Sequence, residues 1–126
     1  MTDAKKILII DDDPNLHVIL KVTLEKAGYQ VFSAMDAMQG PMMARQIQPD
    51  LIILDVMLPA GGGVVVYNRL KQINAPRQTP VILHSSMPKD QVRQSLPEVD
   101  SLVFVQKPVE LPELLKIIAA KINPST

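Results

Sequence analysis

The segment Leu51-Ile52-Ile53-Leu54-Asp55-Val56-Met57-Leu58-Pro59 joins an apolar run to a carboxylate and a proline. Four consecutive apolar residues are typical of a strand buried on both faces, as in a parallel sheet that helices cover. Pro59 cannot continue the strand ladder, so Asp55 lies just beyond the carboxyl end of the strand. Open α/β sheets bind ligands in the crevice beyond these ends. A single aspartate there often only starts a turn, so the role of Asp55 depends on the ends of the other strands.

The composition fits one soluble globular domain: the chain has 126 residues, of which 47% are hydrophobic and 21% charged. We therefore expect residues 1–126 to form a single domain. Thirteen basic and thirteen acidic residues cancel, which argues against direct binding of nucleic acid or of an acidic membrane surface. The absence of cysteine excludes disulfides and thiol chemistry. No apolar run reaches the length of a signal peptide or a membrane span, so we expect a cytoplasmic protein.

Strand and helix patterns alternate along the whole chain. Buried apolar runs predict strands at 6–10, 30–34, 51–54, 79–84 and 101–105. Helical spacing of apolar residues, with capping and proline signals, predicts helices at about 14–27, 36–48, 64–73, 88–97 and 110–122. Five strands alternating with five helices predict an α/β fold with right-handed crossovers and one doubly wound parallel sheet.

Polar residues follow four of the predicted strands. Asp11 and Asp12 come after the first strand and Asp55 comes after the third. Ser85 comes after the fourth strand and Lys107 after the fifth. In a parallel sheet these side chains converge on one edge. Each pair of carboxylates about 4 Å apart repels by about 4 kcal/mol at an effective dielectric constant of ~20, so the group needs a cation. Oxygen ligands without cysteine or histidine favour Mg²⁺ or Mn²⁺ over zinc.

The same side chains form a coherent set for phosphoryl transfer onto a carboxylate. The metal ion and Lys107 would neutralise the charge that develops on the phosphoryl oxygens while Asp55 attacks in line. The hydroxyl of Ser85 would donate a hydrogen bond to one of these oxygens. This mechanism is a hypothesis from the residues alone.

Four motifs in this order resemble the receiver domains of two-component response regulators: ILIIDDDP, LIILDVMLP, VILHSS and FVQKP. The resemblance covers residues 5–122, which we expect to be the core of the domain. It implies a flavodoxin-like fold of the chemotaxis-receiver type, with five helices around a five-stranded sheet in the order 2-1-3-4-5. It also implies a phosphoacceptor that takes its phosphoryl group from a histidine kinase or a histidine phosphotransfer protein.

The resemblance assigns roles to the residues at the first and third strand ends. Asp55 corresponds to the residue that becomes 4-aspartylphosphate. Asp12 corresponds to the direct Mg²⁺ ligand, and Asp11 acts largely through water. Asp55 and the backbone carbonyl of Met57 complete the metal ligands that the protein supplies.

Further roles follow at the last two strand ends. Ser85 corresponds to the switch hydroxyl and Lys107 to the phosphate-binding lysine. Phe104 corresponds to the aromatic residue that changes rotamer with Ser85, and Pro108 to a cis-proline. The resemblance implies a signalling module, not a metabolic enzyme, whose only chemistry is its own phosphorylation and dephosphorylation. Its switched surface would act on a downstream protein or a fused output domain.

Three features depart from the usual receiver pattern. Met57 and Met87 lie two residues beyond Asp55 and Ser85, where the family tunes access of water, and their apolar side chains predict a long-lived phosphorylated state. Gly62 replaces a polar residue, which predicts a loose loop at 61–63. Pro97 predicts a short fourth helix, which puts the usual output surface in question.

Two other functions are compatible with parts of this sequence. A pseudo-receiver that binds a partner without phosphorylation is the main alternative, although the acids, Ser85 and Lys107 are all present. Phosphatases and mutases of the haloacid-dehalogenase type carry a second aspartate two residues after the nucleophile, where this chain has Met57. His17 and His84 are expected to be a helix-face residue and a strand-end residue without a metal or catalytic role.

Overall fold

The computed structural model describes residues 4–59, 62–74 and 78–122. Five strands are present: β1 (Lys6–Ile10), β2 (Gln30–Ala34), β3 (Leu51–Leu54), β4 (Val81–Ser85) and β5 (Val103–Gln106). Five α-helices alternate with them: α1 (Pro14–Lys26), α2 (Gln39–Ile47), α3 (Gly62–Asn74), α4 (Lys89–Ser95) and α5 (Leu111–Ile122). A 3₁₀ helix, Pro97–Ser101, lies between α4 and β5. No helix among the described residues is long and apolar enough to cross a membrane.

The strands form one parallel sheet in the order β2-β1-β3-β4-β5, which confirms the predicted topology. Strands β1 and β3 are neighbours in the middle, with Ile10 paired to Leu54 at their carboxyl ends. Every residue of β3 is buried. This explains why β3 reads as a continuous apolar run and does not alternate with polar residues.

Helices cover both faces of the sheet. Alternate side chains of each strand point to opposite faces, so Ile52 and Leu54 join one apolar cluster with α2, α3 and α4. Leu51 and Ile53 join a second cluster with α1 and α5. Burial of each such side chain contributes about 1.5–3 kcal/mol, so these clusters dominate the stability of the fold.

The ends of α1 agree with the prediction, whereas α2 begins later than predicted. Asp13 caps α1 by accepting the N–H of Asn15 at 2.9 Å, and Gly28 follows the helix with a φ of 98°. The carboxylate of Asp36 instead accepts the N–H groups of Met38 and Gln39. This turn satisfies the N–H groups that the first helical turn would otherwise leave free, so α2 starts at Gln39 and not at Asp36.

Helix α3 begins two residues earlier than predicted, at Gly62. A Cβ atom on Gly63 would overlap the backbone of Val56, so only glycine lets the helix start this close to the end of β3. The predicted loose loop is therefore wrong for Gly62 and Gly63, which are buried in the first turn of α3. Gly61 lies outside the described residues.

The region between β4 and β5 contains a helix that was not predicted. Helix α4 ends at Ser95, before Pro97, as expected. Pro97 then starts the 3₁₀ helix, whose Val99 is fully buried. Its last residue, Ser101, donates a hydrogen bond to the Glu98 carbonyl at 2.8 Å, so β5 begins at Val103 and the predicted start at Ser101 is wrong.

Candidate functional site

Three carboxylates meet at the carboxyl edge of the sheet, and we call Asp11, Asp12 and Asp55 the acid cluster. One oxygen of each lies within 4.8 Å of the others. The closeness follows from topology, because β1 and β3 are hydrogen-bonded neighbours and Asp55 donates its backbone N–H to the Ile10 carbonyl at 2.9 Å. Asp11 and Asp55 are buried, whereas Asp12 is exposed to solvent.

Lys107 supplies the positive charge beside this cluster. Its Nζ lies 2.9 Å from Oδ2 of Asp11 and 3.4 Å from Oδ2 of Asp55. The lysine follows β5, and its backbone N–H donates to the Ser85 carbonyl at 2.8 Å. This hydrogen bond fixes the backbone position from which the side chain extends. Its peptide bond to Pro108 is cis, as the resemblance implied. The predicted convergence of these strand ends is confirmed.

Backbone N–H groups orient the two buried carboxylates. Met57 donates to Oδ1 of Asp55 at 2.8 Å, and Asp13 donates to Oδ1 of Asp11 at 2.9 Å. Each carboxylate thus has one oxygen held by the loop that follows its own strand. The other oxygen faces Lys107. This leaves Oδ2 of Asp55 in a partly buried crevice beside the ammonium group.

Burial and charge act against each other in this site. Burial raises the pKa of Asp55, and the Met57 N–H and the ammonium of Lys107 offset only part of that rise. Burial alone would lower the pKa of Lys107, but its hydrogen bond to Asp11 and the charge of Asp55 outweigh burial and raise this pKa. One ammonium therefore remains charged opposite three carboxylates. The remaining negative charge makes the site attractive to a cation.

Ser85 and Phe104 lie on the sheet face that α3 and α4 cover. Ser85 is fully buried, and its Oγ accepts the N–H of Met87 at 3.0 Å. Phe104 pairs with Leu83 across β4 and β5 and packs, half-buried, against the apolar cluster on that face. The two residues are close along neighbouring strands, although their role as a switch stays a prediction.

Two side-chain contacts beside the site were not predicted from the sequence. His17 is buried in α1, and its Nε2 donates to the backbone carbonyl of Asp11 at 2.7 Å, so it supports the first strand end. Ser86 donates from Oγ to Sδ of Met57 at 3.2 Å, which links the loops that follow β3 and β4.

His84 is buried, and its two ring nitrogens have no hydrogen-bond partner among the described residues. Burial, helped by the nearby charge of Lys107, lowers the pKa of His84 to about 4, so the ring is neutral near pH 7. The residue lies on the face opposite Ser85 and contributes no nitrogen to the acid cluster. The site thus offers carboxylate and carbonyl oxygens, which suit Mg²⁺.

Comparisons with known proteins agree with this geometry. The family model described as the response regulator receiver domain matches residues 7–119. The DNA-binding dual master transcriptional regulator RpaA of Synechocystis sp. is 37% identical over 117 residues, which are 91% of this chain and 48% of that protein. The chain thus spans about half the length of this curated relative. Sporulation initiation phosphotransferase F of Bacillus subtilis is 29% identical over 110 residues, covering 87% of each protein.

A solved structure shares the fold at low sequence identity. The receiver domain of the sensor histidine kinase PA1611 from Pseudomonas aeruginosa, described with a magnesium ion coordinated in its active site cleft, superposes with a TM-score of 0.84 at 22% identity. The alignment covers 95% of this chain and 98% of that one. Because the family model spans most of the chain and the strand order agrees, this chain belongs to the response regulator receiver domain family.

Proposed function

We propose that this receiver accepts a phosphoryl group on Asp55, with Mg²⁺, and thereby switches a protein-interaction surface. The observation that carries the proposal is the position of the Asp55 carboxylate. It lies at the end of the central strand β3, with Oδ1 held by the Met57 N–H and Oδ2 3.4 Å from Nζ of Lys107. A carboxylate held in this way is a fixed nucleophile beside a charged group.

The donor would be a phosphohistidine of a histidine kinase or a histidine phosphotransfer protein. A carboxylate oxygen of Asp55 attacks phosphorus, the bond between phosphorus and the donor imidazole breaks, and the imidazole leaves with the bonding electrons. Lys107 keeps its charge throughout, since the carboxylates of Asp11 and Asp55 raise its pKa. It therefore stabilises negative charge on the phosphoryl oxygens without proton transfer.

Asp11, Asp12, Asp55 and the Met57 carbonyl would hold Mg²⁺, Asp11 largely through water; Mn²⁺ has the same ligand preference. When bound, the ion supplies charge neutralisation for the phosphoryl oxygens. The exposed position of Asp12 fits a direct ligand at the mouth of the site. The buried position of Asp11 fits a residue that acts on the ion through water. Only oxygen donors are needed, which agrees with the residues that the acid cluster brings together.

Ser85 and Phe104 would carry the signal away from Asp55. Among the described residues the Ser85 hydroxyl accepts the Met87 N–H and donates to no protein atom, so its proton is available for a phosphoryl oxygen. Movement of Ser85 would free space next to Phe104, which is only half-buried. The phosphoryl group shifts this equilibrium only through contacts that differ between the two states.

The partners follow from the same chemistry. The donor and the receiver would meet in the cytoplasm, and the switched surface would act on a downstream protein or a fused output domain. The balanced charge of the chain supports no direct contact of the receiver with nucleic acid or membrane. Catalysis would be limited to self-phosphorylation and self-dephosphorylation.

Intact mass after incubation with acetyl phosphate and Mg²⁺ tests the proposal. We expect the wild type to gain one phosphoryl group, and Asp55→Asn to gain none. Asp13→Asn is the matched control because Asp13 caps α1 outside the acid cluster, so it should be phosphorylated normally.

A phosphorylated histidine phosphotransfer protein is the second donor, since it presents the proposed leaving group. No uptake from either donor, by a folded chain that binds Mg²⁺, would overturn the proposal. Such a result would favour an interaction module that works without phosphorylation.

A further inference from the structure

A groove of about 730 Å³ lies between α2 and α3, on the sheet face opposite α1 and α5. Met38, Met42 and Arg45 line it from α2 and the turn before it, and Arg69 and Ile73 line it from α3. None of the lining residues belongs to the acid cluster or contacts Lys107. The groove is therefore a feature separate from the proposed phosphorylation site.

The two helices that form the groove carry positive charge and no acid. Gln39–Ile47 and Gly62–Asn74 contain Arg45, Arg69 and Lys71 but no aspartate or glutamate. Lys71 pairs with Glu98 at 2.7 Å, so its charge is balanced. Arg45 and Arg69 form no ion pair with a carboxylate in the part of the chain that the structure describes. Two unpaired guanidinium groups thus line one groove of a chain whose net charge is zero.

Apolar surface accompanies these charges. Met38 is 80% exposed and Met42 is 49% exposed, one helical turn apart on the same side of α2. Met43 instead packs inward against the apolar cluster. Exposed methionines are flexible and polarizable, so they adapt to the surface of a partner. Their separation of four residues matches the spacing of apolar residues along one face of a docked helix.

We propose that the α2–α3 groove is a docking site for an acidic amphipathic helix of a partner protein. The apolar face of that helix packs on Met38 and Met42, and its carboxylates pair with Arg45 and Arg69. Guanidinium groups bind carboxylates through two parallel hydrogen bonds, which fixes the register of the helix. The proposal is independent of phosphorylation and goes beyond the phosphoacceptor function.

Charge argues against two other occupants. The helices α1, α4 and α5 each contain two basic residues and one acidic residue, so a second copy of this chain offers no acidic α-helix among the described residues. Nucleic acid would also pair with Arg45 and Arg69, but the lining contains no aromatic side chain on which a base could stack. It would also leave Met38 and Met42 without an apolar partner.

The probe is a synthetic, helix-stabilised peptide with leucines at i and i+4 on one face and glutamates beside them. Binding is followed by fluorescence anisotropy with the unphosphorylated protein. We expect saturable binding that falls at least about tenfold in Arg45→Glu/Arg69→Glu and about fivefold in Met38→Ser/Met42→Ser. The matched control Lys21→Glu/Lys26→Glu reverses the same number of charges on exposed residues of α1 and should bind as the wild type does.

Three outcomes would overturn the proposal. They are absence of binding at millimolar peptide, an equal loss in the groove variant and the α1 control, and tighter binding of a single-stranded oligonucleotide than of the peptide. Phosphoryl uptake by Arg45→Glu/Arg69→Glu should stay at the wild-type level, so a failure here is distinct from a failure of the phosphoacceptor function.

Discussion

Two clusters of charged side chains lie in opposite environments, one partly buried and one at the surface. In the acid cluster, burial raises the pKa of Asp55 despite the nearby Lys107. In the α4 charge cluster, which consists of Asp90, Arg93 and Asp100, hydrogen bonds from Arg93 lower the pKa of Asp100. Arg93 reaches Asp100 through two parallel contacts of 2.8 Å and Asp90 at 2.7 Å, all at the surface.

The comparison separates structural from functional charges. In the α4 charge cluster each carboxylate contacts Arg93, and Nζ of Lys89 lies 3.7 Å from Asp100, so two cations balance two carboxylates and join α4 to the 3₁₀ helix. The acid cluster places three carboxylates around a single ammonium, so it remains short of positive charge until a cation binds. Buried charges that lack enough partners are costly, and they persist where function needs them.

The largest effect is expected from Lys107→Met. This change leaves Asp11 and Asp55 buried without their ammonium partner and should lower the free energy of unfolding at pH 7 by about 3 kcal/mol. Urea unfolding at several pH values measures it. The loss should shrink in acid, where the carboxyl groups take up protons. Lys107→Arg, which keeps the charge, should lose much less. An equal loss at every pH would indicate that lost packing, and not charge, causes the effect.

A second effect of burial is expected at His84, where protonation would place a charge inside the protein. Its folded pKa of about 4 lies below the ordinary 6.5, so the folded state resists protonation. The neutral ring therefore makes its full contribution to the free energy of unfolding above pH 6.5. This contribution, on the order of 3 kcal/mol, is lost as the pH falls through the folded pKa.

Unfolding of the wild type and His84→Leu across this pH range tests the prediction at His84. The advantage of the leucine variant should grow as the pH falls. His84→Gln, which is polar but does not titrate, should show the same pH trend as His84→Leu. A constant difference between wild type and both variants would contradict the prediction.

Binding of Mg²⁺ to the acid cluster should stabilise the folded protein, by less than the loss expected from Lys107→Met. An ion that binds only the folded state adds about 2.7 kcal/mol at a hundred times its Kd. Thermal unfolding with and without Mg²⁺ measures this, and Asp12→Ala should abolish most of the increase. Asp13→Ala loses a helix cap but keeps the cluster, so it should be less stable overall and still respond to Mg²⁺. An equal response of both variants would place the ion elsewhere.

The smallest effect is expected in the α4 charge cluster. Arg93→Gln removes contacts that are exposed to water, and such ion pairs contribute little because solvent and salt screen them. Its change in unfolding free energy should be a small fraction of that of Lys107→Met and should vanish in high salt. A large loss that persists in salt would show that the two clusters do not differ as proposed.

Most of the fold and of the site could be predicted because both depend on local patterns. Apolar runs identify the strands, and a parallel sheet must bring Asp11, Asp55 and Lys107 to the same edge. The errors arise where tertiary contacts determine the bounds of an element or the contacts of a side chain. The start of α3 depends on the backbone of Val56 and not on the valines within the helix. The contact of His17 with the Asp11 carbonyl depends on the rotation of α1 against the sheet, which no local pattern specifies.

The close approach of Gly63 to Val56 has a consequence for mutational libraries of this chain. Every missense codon at position 63 adds at least a Cβ atom, which would push the backbone directly after Asp55. At Gly62 an added Cβ would lie 3.1 Å from Cβ of Ala37 and 3.4 Å from Cβ of Leu58, a tight contact with side chains only. A deep mutational scan should therefore find position 63 depleted of all substitutions while position 62 retains alanine.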